Sequence, residues 1–279
     1  MDRYVVAGNP VEHSQSPFIH AEFARQTAQA MVYERVLWPL AGFSESVRAL
    51  AASGARGCNI TVPFKFEAFR AGRRLSDRVR LAQAANVLSF DGDDWQADNT
   101  DGIGLVTDIE SNAGVPLAGL RVLMLGAGGA AAGALGPLLA AHPAMLTVAN
   151  RTREKAQALV DRHLEVAGDT VLRAAPLDVC GRNFDVVINA TASSLQAAEV
   201  PVEPDVLAPG ALALDMMYGP PAVAFMQWAE RFGARGRDGL GMLVEQAAAA
   251  FEIWRGVKPQ SAPVLEALRA RLAAESEKP

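Results

Sequence analysis

Residues 122–141 read VLMLGAGGAAAGALGPLLAA, twenty positions without a single charge. That is the length of a membrane span. Five glycines and Pro137 interrupt it, however, so one continuous apolar helix is a poor reading. A buried strand, a glycine turn and a buried helix in series fit better, and this order is the context that a dinucleotide fingerprint requires. Gly126 permits the tight turn, and Gly128 lets the backbone approach a pyrophosphate. Ala131 takes the third position and still allows close packing. The start of such a helix, Gly126, Ala127, Gly128, Gly129 and Ala130, offers free N–H groups to phosphate. The plainer reading is a glycine-rich helix start with no ligand.

The next strand carries the reading further. An acidic residue about twenty positions on holds the ribose hydroxyls in NAD-binding versions, but this chain has ANRTREK at 149–155. Arg151 and Arg153 suit a 2′-phosphate, with Asn150 and Thr152 donating hydrogen bonds, so the expected cofactor is NADP. Around this segment RVLMLG, MLTVAN, FDVVINAT and ALALDMMY are apolar runs separated by helical stretches. Near-continuous apolar strands of that kind indicate a parallel sheet covered on both faces.

With 279 residues the chain can hold two domains, and half of those residues are hydrophobic. A formal net charge of −5 gives no general attraction to nucleic acid or anionic membranes. Cys58 and Cys180 stand far apart in no metal spacing and read as small core residues of a reduced, cytoplasmic protein. His13, His20, His142 and His163 form no ligand cluster, so no metal is expected. MDRYVVAGNP is too short in its apolar run for a signal peptide.

The first hundred residues alternate strands and helices. RYVVAG reads as a strand, and a helix begins near Pro17, with Ser16 suited to the cap before it. FSESVRALAAS places Phe43, Val47, Leu50 and Ala51 on one helical face, closed by Gly54. GCNITV is the next strand, and RVRLAQAANVLSF is a helix running into an extended segment. Asp101 opens a helix through about Asn112. The last helix runs from about Met242 to Trp254, and the tail AAESEKP frays.

NITVPFK, residues 59–65, is a strand stopped by Pro63 with Lys65 at its mouth between Phe64 and Phe66. A snorkelling surface lysine is the ordinary explanation. Three further features bear on it. In HSQSPF, Ser14 and Ser16 are two hydroxyls near a helix start, suited to a carboxylate or to plain capping. In DNTDGIG, Asp101 reads alone as a helix cap over a turn. In GMLVEQAAAAFEIW, Gln246 lies near the apolar face and needs partners.

Taken together, SQSP, NITVPFK, AAN, DNTDG, GAGGAA, NRT, NAT, DMMYGP and GLGMLVEQA occur in the order of the shikimate dehydrogenases, and the chain resembles that family from end to end. The resemblance implies an α/β protein: an N-terminal mixed-sheet substrate domain (1–101), a Rossmann-fold NADP-binding domain (102–238) and C-terminal helices (239–279) that return to the first domain. The active site would lie in the cleft between the domains. The implied activity is reversible NADP-dependent reduction of 3-dehydroshikimate to shikimate in aromatic amino-acid biosynthesis, with Lys65 and Asp101 as the catalytic pair. Ser14 and Ser16 would hold the substrate carboxylate, while Thr61, Asn86, Asp101, Tyr218 and Gln246 would bind ring hydroxyls. Gly126 to Ala130 and Asn150 to Arg153 would bind NADP, helped by Thr191, Met216, Gly239 and Met242, with Asp77 a further position near the cofactor. The partners implied are small molecules, and the assembly a monomer or homodimer.

Three departures qualify this. Val87 stands where the family usually has threonine, NATASSL lacks the usual Ser-x-Gly-Met continuation, and GPPAVAF lacks a threonine after Tyr218. They leave room for a relative acting on quinate or an aminoshikimate. A non-catalytic NADPH-binding regulator would have no need of Lys65, Asp101 and Gln246 together.

Overall fold

A computed structural model describes residues 1–92, 94–191 and 200–276. The chain divides into two compact units, Met1–Gly104 with Leu243–Pro279, and Leu105–Met242.

In the first unit, β1 (Asp2–Gly8), β2 (Met31–Leu37), β3 (Gly57–Ile60), β4 (Arg74–Leu75), β5 (Val87–Ser89) and β6 (Gln96–Asp98) form a mixed sheet in the order β2-β1-β3-β5-β6-β4. β1 runs parallel to β2 and β3, whereas β3–β5 and β5–β6 are antiparallel. Between them lie α1 (Ser16–Gln26), α2 (Phe43–Ala52), α3 (Lys65–Ala71) and α4 (Asp77–Ala82). β1 is buried along Tyr4–Gly8 because strands flank it on both sides, while the edge strand β2 shows mostly exposed positions. Phe43, Val47 and Leu50 of α2 face the core with Trp38, Phe64 and Leu88, and Gly54 closes the helix at φ 85°. β3 stops at Ile60 ahead of Pro63, which has no N–H for the ladder. At Gly8, a Cβ would come within 2.2 Å of Thr61 Cγ2, so the glycine lets the 61–64 turn lie against β1.

The second unit carries a six-stranded parallel sheet of β7 (Arg121–Leu125), β8 (Met145–Ala149), β9 (Val171–Ala175), β10 (Phe184–Asn189), β11 (Leu207–Asp215) and β12 (Arg235–Arg237). Its order, β12-β11-β10-β7-β8-β9, is that of a Rossmann sheet with the switch point between β7 and β10. The uncharged stretch 122–141 is a strand, a glycine turn and a helix, as its glycines required: β7 leads through Gly126 into α6 (Gly129–Ala140). No described helix is long and apolar enough to cross a membrane. α7 (Arg153–His163) follows β8, and α8 (Pro220–Arg231) follows β11.

The chain passes between the units within α5 (Asp101–Thr107), which continues as a π-helical turn over Asp108–Asn112, and within α9 (Leu240–Arg255). α9 is not the last helix: α10 (Ser261–Ser276) follows and includes most of the tail expected to fray. Val264 and Leu268 of α10 are buried, Arg271 lies over the Phe18 ring, and Gln260 and Gln26 exchange hydrogen bonds ahead of it. The helix is fixed by this docking in the first unit.

Candidate active site

α3 begins at Lys65, directly after the turn that Pro63 imposes. The lysine does not snorkel between two buried rings. Phe64 is buried among Trp38 and Phe43, Phe66 is exposed, and the Lys65 side chain is only 13% accessible. Its Nζ donates to Asp101 Oδ2 at 2.6 Å, and among the described residues this is its one hydrogen bond. An ammonium has three donors, so two N–H groups remain for a ligand.

Asp101 is set by the turn from Asp98 to Asp101. The buried Asp98 carboxylate accepts from Ser76 Oγ (2.7 Å), from Arg78 Nε and Nη2 (3.1 and 2.9 Å) and from Asn99 N (2.7 Å). Asn99 Oδ1 in turn accepts from Asp101 N at 3.0 Å, while its Nδ2 donates to Ala84 O. The helix-start position of Asp101 was expected. Its carboxylate does not cap a helix: each oxygen has a side-chain donor, Lys65 on Oδ2 and Asn86 Nδ2 (3.0 Å) on Oδ1. Asn86 Nδ2 also lies 2.8 Å from Gln246 Oε1, and Asn86 Oδ1 accepts from Thr100 N. Lys65, Asp101, Asn86 and Gln246, read from segments far apart in sequence, are thus joined in one hydrogen-bond network of the first unit.

Ser16 departs from its expected capping role. It is the first residue of α1, the preceding Gln15 makes no side-chain cap, and Pro17 follows in the first turn. The two hydroxyls of Ser14 and Ser16 face one another at 3.1 Å, with Ser16 N donating to Ser14 Oγ. Thr61 lies half-buried on the turn before Lys65, its N–H given to Ala7 O.

Four residues missed in the sequence support these groups. Tyr33 OH donates to Asn59 Oδ1 (2.6 Å), Asn59 Nδ2 donates to the Asn86 carbonyl (3.2 Å), and Arg35 binds the Ser14 carbonyl. Asp98 holds the turn described above. Asn59 and Asp98 are the first residues of the quoted NITVPFK and DNTDG, but nothing in residue spacing says which distant partner each meets.

In the second unit, Gly126 adopts φ 105°, and a Cβ there would press on Ala190 O at 3.0 Å. Gly128 differs. Its φ of −85° suits any residue, and nothing lies within 4 Å of its Cβ position. The fold therefore places no demand for glycine at 128, whereas a diphosphate lying against this helix start would, and the loop fits the dinucleotide on that ground. Gly129 and Ala130 open α6 beyond it. Asn150, Arg151, Thr152 and Arg153 follow β8; Asn150 Nδ2 holds Thr152 O at 2.8 Å, and both arginines are exposed with no ion pair among the described residues. Thr191 donates to Asn189 Oδ1, Asn189 is bonded to Asp215, and Met216 N donates to Asn189 O. A Cβ on Gly239 would meet Met216 O at 2.4 Å, so that glycine is required by backbone approach.

Tyr218 is half-buried just after β11, and Met242 is buried. Asp77, of the first unit, is exposed in the first turn of α4. Of the three departures, Val87 is buried in β5 opposite Asn59 and Asp98. The residue after Tyr218 is Gly219, at φ 68°, and Pro220 and Pro221 then open α8. The continuation of NATASSL from Ala192 lies outside the described residues.

Comparison with known proteins matches three parts of the chain to family models: the shikimate dehydrogenase substrate binding domain at residues 6–88, shikimate / quinate 5-dehydrogenase at 109–200, and the shikimate 5'-dehydrogenase C-terminal domain at 239–269. A shikimate dehydrogenase (NADP(+)) of Acidovorax sp. (strain JS42) is 60% identical over 98% of each chain. Among solved structures, an Ael1 enzyme from Pseudomonas putida is 44% identical with a TM-score of 0.85, covering 96% of this chain and 98% of that one. The shikimate 5-dehydrogenase from Thermus thermophilus, in complex with NADP(H) and shikimate, is 29% identical with a TM-score of 0.82, covering 97% and 99%. Family models that meet the chain in its first, middle and last parts, with a near-full-length relative at this identity, leave one conclusion: the chain belongs to the shikimate dehydrogenase family.

Proposed function

We propose that the chain reversibly reduces 3-dehydroshikimate to shikimate with NADPH. The observation that carries the mechanism is the short Lys65–Asp101 contact, with two lysine N–H groups left open. NADPH, when bound, supplies the hydride. Reduction also puts negative charge on the ring ketone oxygen, and an ammonium donor beside that oxygen stabilises the charge and delivers the proton. Asp101 orients the Lys65 head, and Asn86 fixes Asp101 in turn. In the reverse direction, Lys65 takes the proton from the substrate hydroxyl. The paired hydroxyls of Ser14 and Ser16 receive the substrate carboxylate, and Thr61, Asn86, Tyr218 and Gln246 bind ring hydroxyls. Arg151, flanked by Asn150, Thr152 and Arg153, selects the 2′-phosphate.

Steady-state assays of purified enzyme, following reduced nicotinamide with shikimate, quinate and an aminoshikimate, each with NADP and NAD, test this. Preference for shikimate and NADP is expected. Preference for quinate would shift the reading to the paralogue, and no turnover with any pair would favour a non-catalytic NADPH-binding protein.

A further inference from the structure

Two serine hydroxyls can hydrogen-bond a carboxylate, but they carry no charge to offset it. The cation must come from elsewhere, and several in the first unit are already matched by a carboxylate. Lys65 is matched by Asp101. On β2, Glu34 is taken by Arg3 at 2.7 Å. Arg78 is matched by Asp98. Arg255 and Arg56 both meet Asp2.

Arg35, on the edge strand β2, is different. Its Nε and Nη2 both donate to the main-chain carbonyl of Ser14, at 2.8 and 2.6 Å. Among the described residues it has no acidic partner. The acid of the 9–17 loop, Glu12, turns its carboxylate back onto Val11 N at 3.2 Å. A guanidinium is thus fixed by two bonds to a neutral acceptor, the carbonyl of the residue that carries one of the paired hydroxyls, with no carboxylate matched to it among the described residues. Binding a carbonyl in this way fixes the position of the charge without neutralising it. It also leaves Nη1 unspent among the described residues.

We infer that Arg35 is the counter-charge for the substrate carboxylate: it positions Ser14 through its carbonyl and supplies the positive potential that the Ser14–Ser16 hydroxyls lack. This rests on the proposed reading that those serines receive the carboxylate. The role is electrostatic and remote from the reacting carbon, so it belongs to KM and leaves kcat alone.

The experiment compares Arg35→Gln and Arg35→Lys with the unaltered enzyme at saturating NADP, using shikimate and its uncharged methyl ester. Arg35→Gln should raise KM for shikimate about three- to tenfold, as a partly solvated charge warrants, with kcat, KM for NADP and melting temperature held. Its kcat/KM should also fall less steeply with added salt, because the screened attraction is gone. Arg35→Lys should recover most of the loss. The methyl ester, which keeps the hydroxyl contacts but carries no charge, should lose clearly less than shikimate in Arg35→Gln. Unchanged KM in Arg35→Gln, or an equal loss for shikimate and ester, overturns the inference, as does a Lys variant no better than Gln. If the unaltered enzyme does not turn over shikimate at all, it is the proposed function that has failed.

Discussion

Replacing Lys65 with Met keeps the stem and removes the charge, and its consequences follow from how deeply the pair is buried. The lysine and aspartate side chains are 13% and 3% accessible, and their charged atoms lie 2.6 Å apart. Unit charges about 3 Å apart attract by roughly 5 kcal/mol at an effective dielectric near 20. Desolvation offsets much of that, so the intact pair contributes little net stability. Breaking it is another matter, because Asp101 is then left charged in a nearly dry site with Asn86 as its remaining side-chain donor. Such losses run to about 3–5 kcal/mol, and the surviving Asn86 bond brings the expectation for Lys65→Met to about 2–4 kcal/mol. The melting temperature should then fall by roughly 5–10 °C. Asp101→Asn should cost less, because the lysine left behind can turn its head toward water. Combining the two removes both charges and should restore most of the lost stability. Activity should not return: kcat should fall about 10²–10⁴-fold in Lys65→Met, and the double variant should lose far less than the product of the single losses. Circular-dichroism melts and steady-state kinetics on all four proteins, with NADPH binding as the folding control, read both quantities. Additive stability losses with multiplicative rate losses would refute the pairing, and near-normal turnover by Lys65→Met would remove the lysine from the chemistry.

Gly128→Ala should leave stability unchanged or raise it by about 0.4–1 kcal/mol, since φ and space both allow a methyl group, yet weaken NADPH at least about tenfold by standing where the diphosphate approaches; calorimetric titration with unchanged affinity would refute this. Arg151→Ala should weaken NADPH by about 1.5–3 kcal/mol and NADH hardly at all, and equal weakening of both would show that it does not read the 2′-phosphate. His20 is fully buried against Tyr33, and burial holds its pKa down at about 3, below its ordinary 6.5. The unfolded chain binds the additional proton between those values, so stability should decline as pH falls through that window, by up to roughly 1.4 kcal/mol per pH unit. Denaturant titrations of His20→Phe at about pH 6 and pH 4 should show a shallower decline, and an identical slope would sink the assignment.

Much of this architecture is readable before any coordinates, and where reading stops has a physical cause. The Rossmann half is written locally. Apolar strands, the glycine turn and helix alternate in a pattern that short-range sterics fix, so the 122–141 segment resolves without tertiary information. The site motifs are local too, and they name Lys65, Asp101, Asn86 and Gln246. What they join is not local: Asn86 meets Gln246 across 160 positions of chain. Ser16 looked like a cap because serine before proline at a helix start usually is one; the structure begins the helix one residue earlier and turns the hydroxyl to Ser14. α10 escaped because its polar tail resembles a fraying end, whereas its order comes from docking Val264 and Leu268. Arg35 and Tyr33 carried no motif, and only the fold shows that β2 delivers one to the serine loop and the other to Asn59.

The polar network itself argues for a purpose beyond folding. Burying Asp101, Asn86 and Lys65 together costs desolvation that an apolar cluster of equal volume would avoid. The sequence repays part of that cost by satisfying acceptors: both oxygens of Asp101 have donors, and Asp98 accepts from four groups. Donors are not treated alike. Arg78 pairs with Asp98 through two bonds and turns the rest of its head to water, 41% accessible, while the Lys65 head, 13% accessible, meets one acceptor among the described residues and keeps two N–H groups open. A network that fills its acceptors and leaves a cation's donors open is arranged to meet an oxygen brought from outside. An oxygen that gains negative charge during reaction gains most from such a donor, because the dipoles around it are already fixed and need no reorganisation. That matches a ketone on its way to an alkoxide better than a permanently bound structural anion, which would leave the lysine nothing to give.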